Sequence, residues 1–227
     1  MMKQSKPRIL AGFRDFFITV WRKTAGRVLL VLAGVLMLVA AGLGIGLYLE
    51  GVTAADSAQQ MLVQYEEAVS SAGPQSSAPV GTDNPAPVSA SDPVPQTIDG
   101  YQVIGTVTLE KTEQTLPVIS ETSDKALKVS VCWFQGAHPG ETGNMVITGH
   151  DYASGAHFGQ LSKLGVGDRV TFAAPDQTYA YEVYETEIIR PDQPEKLDEY
   201  EGETALTLLT CASHGNRRLV VRCKPVA

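Results

Sequence analysis

The sequence predicts a mostly β domain, a closed barrel or a sandwich, set behind one membrane-spanning helix and a disordered linker. Three observations predict it. An uninterrupted apolar run fills residues 28–49, a Pro- and Ser-rich stretch fills 73–96, and six short β-branched and aromatic runs follow between Gly, Pro and Asp. The 227 residues, 44% hydrophobic and 19% charged, suffice for one domain of ordinary size plus extra chain, and do not describe a small disulfide scaffold.

Eighteen Lys and Arg stand against 25 Asp and Glu, and the net charge of −7 gives no reason to expect a nucleic-acid partner. The charge is unevenly placed. Residues 1–27 hold seven basic side chains (Lys3, Lys6, Arg8, Arg14, Arg22, Lys23, Arg27) and one acidic, Asp15, so this stretch is +6 and the other 200 residues are −13. Val28 to Leu49 carries no ionisable group except the Tyr48 phenol. As a helix its 22 residues span about 33 Å, against a hydrocarbon core of about 30 Å. With the basic block before it and Glu50 and Asp56 after it, the positive-inside rule predicts a single-pass membrane protein, residues 1–27 cytoplasmic and the rest extracellular. The competing reading is a secretory signal cleaved near Val52-Thr53-Ala54, but an apolar run of 22 exceeds the roughly 7 to 15 residues of such signals.

After the span, Ala54 to Ala72 forms a short predicted helix with Met61, Leu62, Tyr65 and Val69 on one side, read as a stalk. Gly73 to Gln96 holds six of the 13 prolines among Ser, Ala, Asp and Gly and reads as an extended tether, so residues 50–97 are stalk and linker. The folded domain is predicted over 98–227. Its strands are expected at 102–109, 144–148, 168–173, 178–189, 204–210 and 218–223, with helical turns at Ser123 to Val129 and Phe158 to Leu164.

Three cysteines are present, an odd number for a chain outside the membrane. Cys211 ends the apolar run Thr-Ala-Leu-Thr-Leu-Leu-Thr and opens the polar loop Ala-Ser-His-Gly-Asn, which places it at a strand end beside solvent, where a thiolate can form and meet substrate. Cys132 and Cys223 lie within apolar strand-like runs and read as buried thiols, with a mutual disulfide as the alternative. A nucleophilic thiol needs a base or a cationic partner. His150 closes the run Asn-Met-Val-Ile-Thr-Gly-His at another strand end, so a barrel can bring it to the rim that holds Cys211. His214, three residues past Cys211, is the local rival, and His138 and His157 sit in loops. Arg218 opens the last strand, and antiparallel pairing returns it beside Cys211, where a guanidinium can hold an oxyanion. Alternation puts Arg218, Val220 and Arg222 on one face and Leu219, Val221 and Cys223 on the other.

Thr148-Gly149-His150, Thr207-Leu208-Leu209-Thr210-Cys211 and Arg218-Leu219-Val220-Val221, in that order, resemble the sortases, membrane-anchored cysteine transpeptidases of Gram-positive bacteria. Tyr101 to Thr106 followed by Leu116-Pro117-Val118 is similar to the family's opening strands, and Gly155 to Leu161 is similar to its turn after the histidine. The resemblance implies an eight-stranded closed barrel in which Cys211 attacks the Thr carbonyl of an LPxTG-like sorting motif. It implies that His150 protonates the leaving amine and deprotonates the incoming one, that Arg218 steadies the acyl oxygen, and that Thr210 shapes the substrate groove. The implied partners are sorting-signal-bearing surface proteins, a peptidoglycan precursor or other amine, and the lipid bilayer. No cofactor is implied. Some relatives bind calcium, but no ligands are assignable here, and no metal site is expected. The chain stops at Ala227 and its nearest match to a pilin-polymerase lid is Asp92-Pro93-Val94, so the resemblance is class D-like, with class B-like second. A thiol protease acting by hydrolysis and a non-catalytic surface binding module are the rival functions.

Overall fold

A computed structural model describes residues 9–72, 95–212 and 215–226, with side chains from residue 27 onward. Most of the predicted tether and His214 lie outside the described residues. The chain divides into two compact units at residues 47 and 48. Helix α1, Ile9–Ala72, begins in the first and ends in the second, with no proline to break it. It contains a stretch long and apolar enough to cross a membrane, and the side chains of 28–49 are exposed, as a lipid-facing helix requires.

In the second unit the end of α1 packs on a β-barrel, where the sequence suggested a stalk. Ala54, Ala58, Met61, Leu62 and Tyr65 are buried at helical spacing. Met61 and Tyr65 join Ile98, Val103, Ile119, Ala126 and Cys132 in one apolar cluster. Small residues let the helix come close: a Cβ on Gly51 would collide with the Ser154 side chain. The alanines extend the stripe of Met61, Leu62 and Tyr65, but side chains this small are easily overlooked in a hydrophobic pattern.

Nine strands follow: β1 Gln96–Ile98, β2 Tyr101–Leu109, β3 Gln114–Ile119, β4 Val131–Gly136, β5 Gly143–Gly149, β6 Arg169–Ala173, β7 Thr178–Ile189, β8 Thr204–Ala212 and β9 Arg217–Pro225. Their order, β1-β2-β3-β4-β5-β8-β9-β7-β6, closes because β6 also pairs with β2, so β2 to β9 form an eight-stranded barrel and β1 is an added edge. The pairs β3–β4 and β5–β8 are parallel and the rest antiparallel. Val107, Leu109, Ile147, Phe158, Phe172, Leu206, Leu208, Val221 and Cys223 fill the interior. Helix α2, Asp124–Val129, begins where Ser123 caps it, its hydroxyl accepting from the Ala126 amide at 3.1 Å.

The six predicted strands are present, β3 contains the Leu116-Pro117-Val118 that the resemblance placed in an opening strand, β4 contains the strand-like run at Cys132, and β1 is additional. Pro117 sits inside β3, and a register shift between Trp133 and Gln135 breaks the alternation of β4. Cys132 and Cys223 are both free and buried, as thiols rather than a disulfide. They belong to different clusters, Cys132 under α1 and Cys223 inside the barrel. Burial pushes the Cys132 thiol up to about 12 and raises that of Cys223 as well.

His157 is fully buried beneath α1, with Nε2 3.3 Å from the Ala54 carbonyl oxygen. Burial drives its pKa from 6.5 down to about 4. Below pH 6.5 the unfolded chain takes up a proton here that the native state refuses, so stability falls as pH drops from 6.5 toward 4, by up to about 3 kcal/mol. His157 has φ +49°, a conformation asparagine tolerates. We therefore expect His157→Asn to lose less stability than wild type between pH 7.5 and pH 4.5 in urea melts. Equal losses would show that His157 is not the titrating group.

Candidate active site

Three strands deliver the predicted residues to one rim of the barrel. In β8, Leu206 and Leu208 point inward and Leu209 points outward, so parity puts Cys211 on the outer face. In β5, Met145 and Ile147 point inward and Val146 outward, and Thr148 and His150 continue the outer row. Thr148 pairs with Leu209 and Gly149 with Thr210 in parallel register, so the two strands deliver His150 and Cys211 side by side. In β9, Leu219, Val221 and Cys223 are inside and Val220 is outside, the alternation expected from sequence. Cys211 and Arg218 are direct partners in the β8–β9 ladder, and Arg217 pairs with Ala212.

Cys211, His150 and Arg218 line one groove of about 350 Å³. Its floor is apolar: Ile189, Leu197 and Leu209 line it and cluster with the buried Val146 and Val220. Leu127 of α2, Phe134 of β4 and Arg190, Pro191, Gln193 and Pro194 of the β7–β8 connection also line it. Phe134 is exposed, and it sits at the bulge that interrupts β4.

His150 and Arg218 are held by local structure. Gly149 is required before His150, since a Cβ there would lie 2.7 Å from Val131 Cγ1 and 3.0 Å from the Phe158 ring. The His150 ring packs edge-on to Tyr152 at 5.3 Å, and Tyr152 packs in the same manner on His157 at 5.2 Å. Burial lowers the His150 pKa, partly offset by the Glu50 carboxylate of α1, which favours a neutral imidazole at neutral pH. Arg218 Nη1 donates to the Gly215 carbonyl at 2.9 Å and the Arg217 carbonyl at 3.1 Å. Its Nε and Nη2 make no hydrogen bond among the described residues, so they can address a ligand in the groove.

Thr210 has its hydroxyl directed elsewhere than the groove predicted for it. It is buried, and its hydroxyl donates to the Gly149 carbonyl at 2.7 Å, tying the residue before Cys211 to the residue before His150. Of the other histidines, His138 stacks on Trp133 at 5.0 Å and His157 lies under α1. Among the described residues no group of three or more His, Cys, Asp or Glu is placed to hold a metal ion.

Sequence reasoning missed Asn144, Thr207 and the role of Arg222, all buried on the outer face near the groove. Alternation did place Arg222 on the Arg218 face. A charged residue inside Val-Val-Arg-Cys was the available signal.

A family model described as the sortase domain matches residues 107–226. Sortase A of Bacillus anthracis is 27% identical over 128 residues, which is 55% of this chain and 60% of that protein, so this chain spans less than two-thirds of that relative. Sortase C1 of Streptococcus agalactiae has 31% identity and a TM-score of 0.53, covering 57% of this chain and 70% of that one. A sortase D5 transpeptidase of Clostridium perfringens has 26% identity and a TM-score of 0.51, covering 55% and 79%. By architecture the second unit is a sortase-type barrel, with a cysteine, a histidine and an arginine on one groove. The chain belongs to the sortase family.

Proposed function

We propose that this protein is a membrane-anchored cysteine transpeptidase that cleaves an LPxTG-like sorting motif and joins the acyl part to a cell-wall amine. The observation that carries the reading is the convergence of Cys211, His150 and Arg218 on one apolar-floored groove, with Cys211 and Arg218 in direct register. The apolar floor suits the leading side chains of such a motif, and the polar rim suits the scissile bond.

In this reading the Cys211 sulfur attacks the Thr carbonyl carbon while its proton passes to His150. Arg218 donates to the oxygen as it becomes an oxyanion. Collapse of the tetrahedral species breaks the C–N bond, and His150 gives the proton to the departing amine. An incoming amine attacks the thioester, loses its proton to His150, and releases Cys211. The basic residues before the span and the acidic excess after it favour a cytoplasmic N-terminus and an extracellular barrel.

Mass spectrometry of the full-length protein in detergent micelles, incubated with sorting-motif peptides, tests this reading. An acyl adduct on Cys211 and a peptide–amine product when an amine is added are the expected results. A hydrolysed peptide at every amine concentration would make the protein a protease, and neither adduct nor product would leave only a binding role.

The two neighbouring arginines give a register test. Lysine at 218 keeps the charge but loses the planar fork, so Arg218→Lys is expected to lower kcat/KM about tenfold or more. Arg217 is exposed and pairs with Ala212 beyond the Cys211 level, so Arg217→Lys should be nearly silent. A larger loss at 217 would show that the wrong arginine has been assigned.

A further inference from the structure

Below the groove floor, the outer faces of four neighbouring strands carry a row of polar side chains. Thr207 of β8 opposes Arg222 of β9, and Arg222 opposes Glu185 of β7. Asn144 lies on β5, the strand paired to β8. Thr207 and Arg222 are each four residues from Cys211 and Arg218, about 13 Å along their strands. Asn144, Thr207 and Arg222 are buried, with Arg222 only 1% exposed.

Their hydrogen bonds converge on one target. Thr207 Oγ1 donates to Asn144 Oδ1 at 2.9 Å, which orients the amide so that Nδ2 donates to the Leu197 carbonyl at 2.8 Å. Arg222 Nη2 donates to the adjacent Lys196 carbonyl at 2.8 Å and to Glu187 at 2.9 Å, while Nη1 donates to Glu185 at 2.8 Å. Two consecutive carbonyls at the end of the 3-10 turn Pro194–Leu197 are thus gripped from two strands of the barrel. That turn carries Leu197 into the groove floor and Pro194 into its wall.

Burying a guanidinium and an amide costs desolvation, and well-packed apolar residues often stabilise such positions as well or better. Fold stability alone therefore explains these residues poorly. Their bonds to the main chain of the groove wall supply the missing reason. We propose that Asn144, Thr207 and Arg222 are positioning residues that preset the 190–197 wall for the acyl-donor peptide, and so govern peptide affinity and selectivity rather than the chemical step. This rests on the transpeptidase reading above.

Asn144→Asp turns the donor facing the Leu197 carbonyl into an acceptor at nearly constant volume, and Thr207→Val removes the hydroxyl that orients the amide. In the full-length protein in micelles, each is expected to raise KM for a sorting-motif peptide about tenfold with kcat within about twofold, and to flatten the preference among peptides differing before the Thr. Thr207→Ser, which keeps the hydroxyl, should restore the wild-type values. Alkylation of Cys211 by iodoacetamide should proceed at the wild-type rate in all three. A lowered melting temperature with unchanged KM and selectivity would overturn the proposal. If Asn144→Asp does not fold, the Val and Ser pair at 207 decides. Trypsin cleavage after Lys196 reads the clamp without turnover: faster nicking in Thr207→Val supports it and equal nicking overturns it. A wild type that processes no peptide would sink the transpeptidase reading, while this proteolysis still tests the clamp.

Discussion

Replacing Cys211 by alanine is expected to abolish transpeptidation, by roughly ten-thousandfold or more, and to leave the barrel folded. In the proposed mechanism the sulfur is the atom that becomes acylated, and no other described thiol can take its place: Cys132 and Cys223 are fully buried in separate clusters. Cys211 is only half-buried at the end of β8, so losing one sulfur there should move the melting temperature little, within about 0.5 kcal/mol of stability. Steady-state assays of peptide and amine coupling, with thermal melts as the control, measure both halves. Full residual turnover with a normal melt would end the assignment of Cys211 as nucleophile.

His150→Ala is expected to cost at least about a hundredfold in kcat/KM, because in the proposed mechanism the same imidazole takes the thiol proton, returns it to the leaving amine and accepts one from the incoming amine. The pH profile adds a second check. Burial holds the His150 pKa below its usual 6.5, so the neutral form needed to receive a proton persists into mild acid. The acid limb of kcat/KM in the wild type should therefore lie below pH 6.5. His214→Ala is the companion variant. If it is the damaging one and His150→Ala is mild, the base has been assigned to the wrong loop.

The barrel and the placement of the groove were readable where residues announce their environment. The long runs 178–189 and 204–210 became β7 and β8 because β-branched and aromatic side chains fit a pleated surface. Cys211, His150 and Arg218 stood out because each is polar or reactive at the end of an apolar run. What was not legible depended on distant contacts. In Gln114–Ile119, with its internal proline, only the family resemblance of Leu116-Pro117-Val118 points to a strand; pairing with β2 and β4 makes it one. Ala54 and Ala58 become core only because a barrel stands against them. Thr210 looked like a groove residue from its place beside Cys211, yet alternation turns its side chain away and Gly149 takes its hydroxyl. Asn144, Thr207 and Arg222 acquire meaning only when four strands and a loop meet.

The manner in which the β7–β8 connection is seated has a consequence for how such a protein diversifies. Asn144 and Arg222 bind carbonyl oxygens, which every amino acid supplies, so the anchor makes no demand on side-chain identity at Lys196 or Leu197. Of the connection residues that line the groove, Arg190, Pro191, Gln193 and Pro194 lie outside that anchor. They are free to mutate, or to be exchanged as a cassette from another member of the family, without loosening the seat. A scaffold of this kind separates inheritance of the reaction from inheritance of the target, and directed evolution aimed at 190–194 should find altered motif preferences among variants that still fold.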